Sequence, residues 1–460
     1  MRSLTMRNQT LIAAVAAALS IGIPIPDAGA ADSSPANEER ESFRADPASA
    51  QRPADSSWVE SAQQPVDFCR AEPGRQPTQP FAAGPVSAGR ANSRSGEAPA
   101  LSPASPAEIQ IDLARSALER DPANARSLNS LAIGLTRRAR ETGDTACYDE
   151  AWKTLQEARR LDPENRETLR ISAWVSMGRH EFARAFELTR KYDRRTPGDP
   201  WNLSVMGDAL MELGRYDSAE KVYQKMADVK PGPAAYSRVA YLREVRGDVG
   251  GALELMRMAL AATDPRESED RAWLLVQIAH LENLSGDASG SEASYRAALE
   301  SFAGYHYALA GLSELTLRLG RAGEAASLAR EAIEAAPHAE RYLLLADALH
   351  ALGRGQEAQE AEEAFERLAL ENVGKADNEN HDLALFYLER RADPSRALSI
   401  AKLEATRRLD VHTLDRLALA LLANGEQRQA RRLMKRLIKT GTRDPLIATH
   451  AVAMGLSTLR

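Results

Sequence analysis

Cysteine is almost absent from this chain: there are two in 460 residues. Two cysteines cannot form a disulfide framework or a four-cysteine zinc site. Cys69 and Cys147 leave three alternatives open, which are a disulfide with each other, two free thiols or a bond to another chain. The first alternative requires an oxidising compartment.

Aromatic side chains are also scarce, at 5% of residues, while 43% are hydrophobic and 27% are charged. Alanine, leucine, arginine and glutamate dominate, which favours helices packed through small residues over a β-sandwich. The formal net charge is −6. An acidic chain lacks the overall basic character of nucleic-acid-binding proteins, so no nucleic-acid partner is expected.

Catalytic motifs are missing as well: the sequence has no H-E-x-x-H, P-loop or G-x-S-x-G pattern. Residues 353–358 match G-x-G-x-x-A, but they follow a helical pattern rather than a strand and fit an inter-helix turn. The eight histidines are scattered without metal-ligand spacing. We therefore expect no enzyme, no cofactor and no metal site.

The N-terminus carries the only long apolar stretch. Arg2 and Arg7 precede Leu11–Ile23, and residues 28–30 read Ala-Gly-Ala. This is the pattern of a signal peptide, residues 1–30, cleaved after Ala30. The alternative is a retained anchor, but an apolar stretch of 13 residues falls short of the roughly 20 that span a bilayer. We expect export to the bacterial periplasm or medium, with no stable membrane span after cleavage.

Residues 31–106 contain 11 of the 23 prolines, with alanine, serine and charged residues around them. Such a segment cannot bury enough apolar surface to offset the entropy of ordering. The composition predicts a disordered spacer.

Beyond the spacer, prolines recur with a fixed period. Pro163, Pro197, Pro231 and Pro265 are each 34 residues apart, and Pro337 follows after 72 residues, two periods plus four. A period of 34 is typical of helix–turn–helix repeats that stack into a solenoid.

The clearest repeat is 200–233, with a Gly-Arg-Tyr turn at 214–216 and Pro231 after its second helix. Its remaining pattern residues are Leu203, Met206, Gly207 and Leu210, then Ala219, Tyr223 and Met226. In these residues the chain resembles the tetratricopeptide repeat (TPR) family over roughly 107–455. The resemblance implies an all-α fold, a right-handed superhelical solenoid of stacked antiparallel helix pairs.

We count eight or nine repeats, preceded by a lone second helix at Ile109–Arg120. The acidic segment Glu371–Asp382 interrupts the apolar pattern, so we divide the solenoid into a main array, 107–370, and a C-terminal subarray, 371–460. Two insertions depart from the period: about seven residues in the first repeat, assigned to a loop at Arg140–Cys147, and the four before Pro337, also assigned to a loop.

The family resemblance further implies a concave groove lined by the first helices, which holds a partner peptide. We expect the second, fifth, ninth and twelfth positions of each first helix to face it. From residue 200 onward this lining includes Trp201, Ser204, Asp208, Ser237, Tyr241, Trp273, His280, Asn283, Tyr307, Glu314, Asp347 and His350. Aromatics beside acidic groups suit a peptide with apolar anchors and some basic side chains. Alternatively, Trp201 and Trp273 merely pack against the preceding repeat.

A second candidate surface is basic. Six cations recur at helical spacing between 428 and 439, with leucines and a methionine between them. They are either a solvated convex face or a surface for anionic lipid, polysaccharide or an acidic protein.

Together these patterns predict a non-catalytic protein–protein interaction scaffold of the cell envelope. The alternative is a periplasmic carrier, similar to a chaperone, that holds client proteins. The sequence leaves the partner's identity and the oligomeric state open.

Overall fold

The computed structural model describes residues 105–375, 379–442 and 444–456. These residues form helices joined by short connections, and none of them lies in a β-strand. The described part of the chain is therefore all-α, as predicted. The predicted signal peptide, residues 1–30, and nearly all of the predicted spacer, 31–106, lie outside the described residues.

The first described helix, α1, stands alone and is followed by nine helix pairs and a last helix. The helices are α1 Pro106–Arg120, α2 Ala125–Thr142, α3 Ala146–Leu161, α4 Arg166–Gly178, α5 Phe182–Asp193, α6 Pro200–Glu212, α7 Tyr216–Val229, α8 Pro233–Val245, α9 Val249–Ala262, α10 Ser268–Leu284, α11 Ala288–Ser301, α12 His306–Arg318, α13 Ala322–Ala335, α14 Ala339–Ala351, α15 Gly355–Asn372, α16 Asn380–Glu389, α17 Pro394–Glu404, α18 Val411–Ala423, α19 Gln427–Ile438 and α20 Pro445–Ala453. Each even-numbered helix from α2 to α18 is the first helix of a pair.

Small residues let the two helices of a pair approach closely. The fourth residue of every second helix from α5 onward is alanine, or serine in α11, and each is fully buried: Ala185, Ala219, Ala252, Ser291, Ala325, Ala358, Ala397 and Ala430. Gly207 does the same on the first-helix side, where an added Cβ would overlap the ring of Tyr223. The pattern that identified the repeats is thus the pattern of inter-helix contact.

The two insertions are helical, which corrects the assignment to loops. The first repeat's extra residues lengthen α2 to 18 residues, and its connection to α3 is only 143–145. The four residues before Pro337 lengthen α10 to 17 residues, compared with 13 in α8 and α12. Arg140 therefore lies in the last turn of α2 rather than in a loop.

The extra turns of α2 and α10 meet across the superhelix. Arg140 Nη2 lies 2.9 Å from Glu269 Oε2 and 3.2 Å from Asp270 Oδ1, and Arg137 Nη2 lies 2.8 Å from Glu267 Oε2. We call this set of contacts the N-terminal closure. It joins the first helix pair to the fifth across the concave side of the solenoid.

The closure continues at the C-terminal end of α2. His306, the first residue of α12, places Nε2 3.3 Å from the carbonyl oxygen of Arg140, and its Nδ1 lies 2.6 Å from Arg341 Nη2. Because the guanidinium can only donate, His306 Nδ1 accepts and Nε2–H donates to the carbonyl. The pKa of His306 is lowered to about 3, by burial first and by the positive charge of Arg341 second. His306 is thus a neutral link between α2, α12 and α14.

A second long-range contact ties the C-terminal repeats to the middle of the solenoid. Leu409 N–H donates to the carbonyl of Glu212 at 2.8 Å, and Val411 N–H donates to the Tyr216 hydroxyl at 2.8 Å. Arg408 Nη2 lies 2.7 Å from Glu212 Oε2. We call this the C-terminal closure. It fixes the connection between α17 and α18 against the turn between α6 and α7.

Candidate binding cavity

A cavity of about 730 Å³ lies on the concave side, between the first helices α4, α6, α8 and α10. The end of α9 and its connection to α10 complete the wall, and Arg140 of the N-terminal closure borders it. Four consecutive helix pairs therefore contribute to one space, which we call the inner cavity.

Four aromatic rings line the inner cavity: Trp174, Tyr223, Tyr241 and Trp273. Trp273 also packs against the core cluster of α10 to α13, which fixes its position. The Tyr223 hydroxyl donates to Asp208 Oδ1 at 2.8 Å. The rings are thus held by the surrounding fold, as suits a preformed site.

Carboxylates outnumber cations in the lining. The acidic residues are Asp208, Glu212, Asp264, Glu267 and Asp270, and the basic ones are Arg140 and Arg238. Asp208 receives Arg238 in a two-pronged contact, with Nη2 2.8 Å from Oδ2 and Nε 2.9 Å from Oδ1. The other four carboxylates also face arginines, three of which lie outside the lining. Each of the five carboxylates is therefore paired with an arginine, which orients the carboxylate and offsets its charge.

Glu212 has the most perturbed carboxyl of this wall. Burial raises its pKa to about 7, and the charges of Asp410 and Asp208 act in the same direction, while Arg408 opposes them. Asp410 differs, because Arg408 and a hydrogen bond from Thr413 outweigh its burial and lower its pKa. Glu212 lines the inner cavity and also pairs with Arg408 of the C-terminal closure, so it connects the two.

The structure brings four of the twelve predicted groove residues together in the inner cavity: Asp208, Ser237, Tyr241 and Trp273. Trp201 packs against the preceding repeat, where its ring is edge-on to Trp174 at 5.7 Å and lies under the Arg170 guanidinium at 4.4 Å. Ser204 is buried and donates to the Trp201 carbonyl at 2.6 Å.

Several other predicted residues connect successive repeats. His280 Nε2 lies 3.0 Å from Glu244 Oε1, Arg318 donates to the Asn283 side chain, and Asp347 Oδ1 lies 2.5 Å from Arg390 Nη2. Each of these contacts joins one first helix to the next. His350 instead pairs with Glu362 within its own repeat, at 3.2 Å.

Two predicted residues remain at the surface. Tyr307 is 42% exposed and lies beside His306, with ring centroids 4.1 Å apart, close to the N-terminal closure. Glu314 is exposed on α12. A binding role for any of the twelve stays a prediction.

Sequence reasoning missed Trp174, Met177 and Arg140. Trp174 and Met177 occupy the ninth and twelfth positions of α4, so the same positional rule finds them when it is applied before residue 200. Arg140 belongs to the first helix pair, three pairs before α8. No local sequence pattern indicates that it reaches the inner cavity.

Cys147 is buried in α3, with its sulfur 3.6 Å from Asp144 Oδ2. Burial, first, and the nearby Asp144 carboxylate raise the pKa of this thiol to about 11, so the unreactive thiol form is favoured. Cys69 lies outside the described residues, so the three alternatives for the two cysteines stay open.

In the described ranges, no three His, Cys, Asp or Glu side chains are grouped so that they could bind a metal ion. None of the described helices has both the length and the hydrophobicity that crossing a bilayer requires.

Comparison with known proteins agrees with the assignment of repeats in the middle of the chain. A tetratricopeptide repeat family model matches residues 205–267, from the middle of α6 to the start of α10. No curated protein matches the chain significantly. The family match thus covers the repeats that form most of the inner cavity's wall.

Several solved structures are similar at low identity. The APC/C hetero-tetramer Cut9–Hcn1 is 15% identical, with a TM-score of 0.46, over 68% of this chain and 58% of that one. PilW, a widely conserved type IV pilus biogenesis factor, is 17% identical, with a TM-score of 0.39, over 44% of this chain and 92% of that one. The human IFIT1 dimer with m7Gppp-AAAA is 13% identical, with a TM-score of 0.47, over 73% and 77%. This chain spans less than two thirds of the Cut9–Hcn1 chain. The fold of its described residues is an all-α solenoid of helix pairs, like that of tetratricopeptide repeats.

Proposed function

We propose that this chain is a non-catalytic protein–protein interaction scaffold, which acts in the cell envelope and binds a partner peptide or domain on its concave side. The inner cavity is the centre of that binding surface. The observation that carries the proposal is the cavity itself, in which three half-buried aromatic rings, those of Trp174, Tyr241 and Trp273, and five carboxylates from successive repeats line one space of about 730 Å³.

The lining also favours one partner chemistry. Aromatic rings anchor apolar side chains at interfaces, and a lysine or arginine of the partner can share the oriented carboxylates beside those anchors. The partner segment therefore combines apolar and basic side chains.

The binding test uses a substitution that fills the cavity without removing a contact. Ala234 is exposed and lines the inner cavity, so Ala234→Trp places an indole in the space. Ala351 is exposed at the end of α14, outside the cavity lining, and Ala351→Trp is the matched control. In a pull-down from envelope extract, partners should be retained by the wild type and by the control and lost by Ala234→Trp.

The identity of what is retained separates two functions. A few partners in stoichiometric amounts support a scaffold, whereas many weakly held clients indicate a periplasmic carrier. Equal retention by Ala234→Trp and the control places the binding surface elsewhere.

The envelope part of the proposal is supported by the sequence of residues 1–30. Cell fractionation followed by mass spectrometry of the protein's N-terminus tests it. We expect an envelope or secreted fraction whose mature chain begins at Ala31. A cytosolic chain that still begins at Met1 would overturn this part and leave the binding proposal standing.

A further inference from the structure

The outer face of α19 carries a dense row of cations. Arg428, Arg431, Arg432, Lys435, Arg436 and Lys439 are all exposed, and Gln427–Ile438 contains no acidic residue. The opposite face of the helix, with Ala430, Met434 and Leu437, is fully buried against the repeat. The six cations, which we call the α19 strip, therefore point away from the solenoid.

The strip is continuous along the helix. At about 100° and 1.5 Å per residue, its six Cα positions fall within an arc of about 140° and extend about 16 Å along the axis. The side chains form four levels, one helical turn apart, with two abreast in the middle levels. This arrangement presents a row of positive charge on the convex outer surface of the helix.

The charge of the strip is not neutralised by the described part of the chain. Within those residues none of the six cations forms an ion pair with a carboxylate, and Arg431 donates to the carbonyl of Gly455 at 3.2 Å. The middle of the solenoid differs, since Arg296 and Arg321 of successive repeats both pair with Glu292, at 2.8 and 2.6 Å. The α19 strip keeps its charge available for an external anion.

We propose that the α19 strip binds the surface of an anionic phospholipid bilayer, through lipid phosphate groups. A convex row of charge can reach a flat anionic surface, while it offers no groove for an extended peptide. It also has no aromatic side chain on which a nucleic acid base could stack. Because the apolar side chains of α19 point inward, contact is peripheral, without insertion.

The acidic net charge of the whole chain does not prevent this contact. Screening limits the repulsion from distant carboxylates to about 8 Å at physiological ionic strength. Near an acidic membrane each lysine or arginine strengthens binding about five-fold, so several cations acting together give measurable adsorption. The adsorption should therefore be strongly salt-dependent.

The test is co-sedimentation of the full chain with vesicles of phosphatidylcholine, with and without one third phosphatidylglycerol. The strip variant is Arg428→Gln, Arg432→Gln, Lys435→Gln and Arg436→Gln, which spares Arg431. The control removes the same charge from exposed cations elsewhere, with Lys221→Gln, Lys225→Gln, Arg330→Gln and Arg367→Gln. Circular dichroism checks that both variants fold.

We expect the wild type and the control to bind the acidic vesicles at least ten-fold more tightly than the strip variant, and to lose that binding at about 0.5 M salt. Any binding that the N-terminal apolar stretch contributes is present in all three proteins and appears with phosphatidylcholine alone. Equal binding by the strip variant and the control would overturn the proposal. So would binding of the wild type to poly-L-glutamate but not to acidic vesicles, which would identify an acidic polypeptide as the occupant.

Discussion

Arg140 and Glu269 are 129 positions apart and form an ion pair, 2.9 Å from Nη2 to Oε2, between the last turn of α2 and the first turn of α10. The Glu269 side chain is only 8% exposed, and the Tyr305 hydroxyl donates to it at 2.9 Å. Both partners lie in the extra turns that the two insertions add. The insertions therefore build the contact that closes the concave side.

Replacing Arg140 by alanine should lower the free energy of unfolding by about 2 kcal/mol. The substitution leaves the buried Glu269 without its cation, and the usual cost of breaking a buried pair is reduced because Arg140 is about one third exposed. Urea denaturation followed by circular dichroism measures the change.

The control for this prediction is Arg137→Ala, which removes the more exposed pair with Glu267. Its cost should stay below about 1 kcal/mol. If the two variants are equally stable, the N-terminal closure does not depend on Arg140.

The close approach of α6 and α7 gives a second prediction. Gly207→Ala adds a Cβ that overlaps the fully buried Tyr223 ring, so stability should fall by about 1–3 kcal/mol. Gly323→Ala is the matched control, since a Cβ on this exposed glycine of α13 meets nothing within 4 Å. Thermal unfolding should separate the two, and an unchanged melting temperature for Gly207→Ala would show that the helices can move apart freely.

The neutral state of His306 makes stability depend on pH. Its pKa falls from 6.5 in the unfolded chain to about 3 in the folded protein, so the folded state binds fewer protons between these values. The contribution is fully present above pH 6.5 and is lost as the pH falls. His306→Gln should therefore lose less stability than the wild type between pH 6.5 and 4.5.

Urea midpoints measured across this pH range test the His306 prediction. The slope of the urea midpoint against pH should be smaller in His306→Gln than in the wild type, but it should not vanish. Burial also lowers the pKa of His381 to about 3 and of His180 to about 4, so these two histidines contribute to the slope in both proteins. An identical slope in His306→Gln and the wild type would contradict the assigned role.

The seam predicted at 371–382 can be tested by limited proteolysis. Arg390, which directly follows α16, contacts both α14 and α15, at 2.5 Å from Asp347 and 2.6 Å from Glu362. Arg390→Ala should accelerate cleavage near 371–382 by at least ten-fold, because the loss of a largely buried pair costs more than about 1.4 kcal/mol. We expect the wild type to be cut first in 31–106 and next in this segment.

The control for proteolysis is Arg367→Ala, an exposed position on α15. It should leave the cleavage pattern unchanged. Early cuts within 200–337 in the wild type would argue against a division of the solenoid at 371.

Local pattern was enough to predict the repeats. Pro231 ends α7, Gly207 faces Tyr223, and the lone helix before the first pair contains the predicted Ile109–Arg120. Each of these features depends on residues within one or two repeats. The same rule of positions placed Asp208 and Tyr241 on one wall of the inner cavity.

The extra turns could not be predicted in the same way. Residues 137–142 of α2 have ordinary helix-forming composition, and a period of 34 gives an insertion no reason to be helical rather than a loop. What stabilises the extra turn is contact with α10 and His306, more than 120 positions away. A sequence pattern read one repeat at a time contains no information about such a partner.

The contact between α2 and α10 also changes how the array folds. In an open stack each repeat touches only its neighbours, so stability is nearly additive and folding can spread from any repeat. Here the ends of a loop of 129 residues must meet, which raises the contact order and adds a chain-closure entropy that grows with the logarithm of loop length. Helices α1 to α3 are therefore not a dispensable cap, because their removal would uncover the start of α10 in the middle of the array.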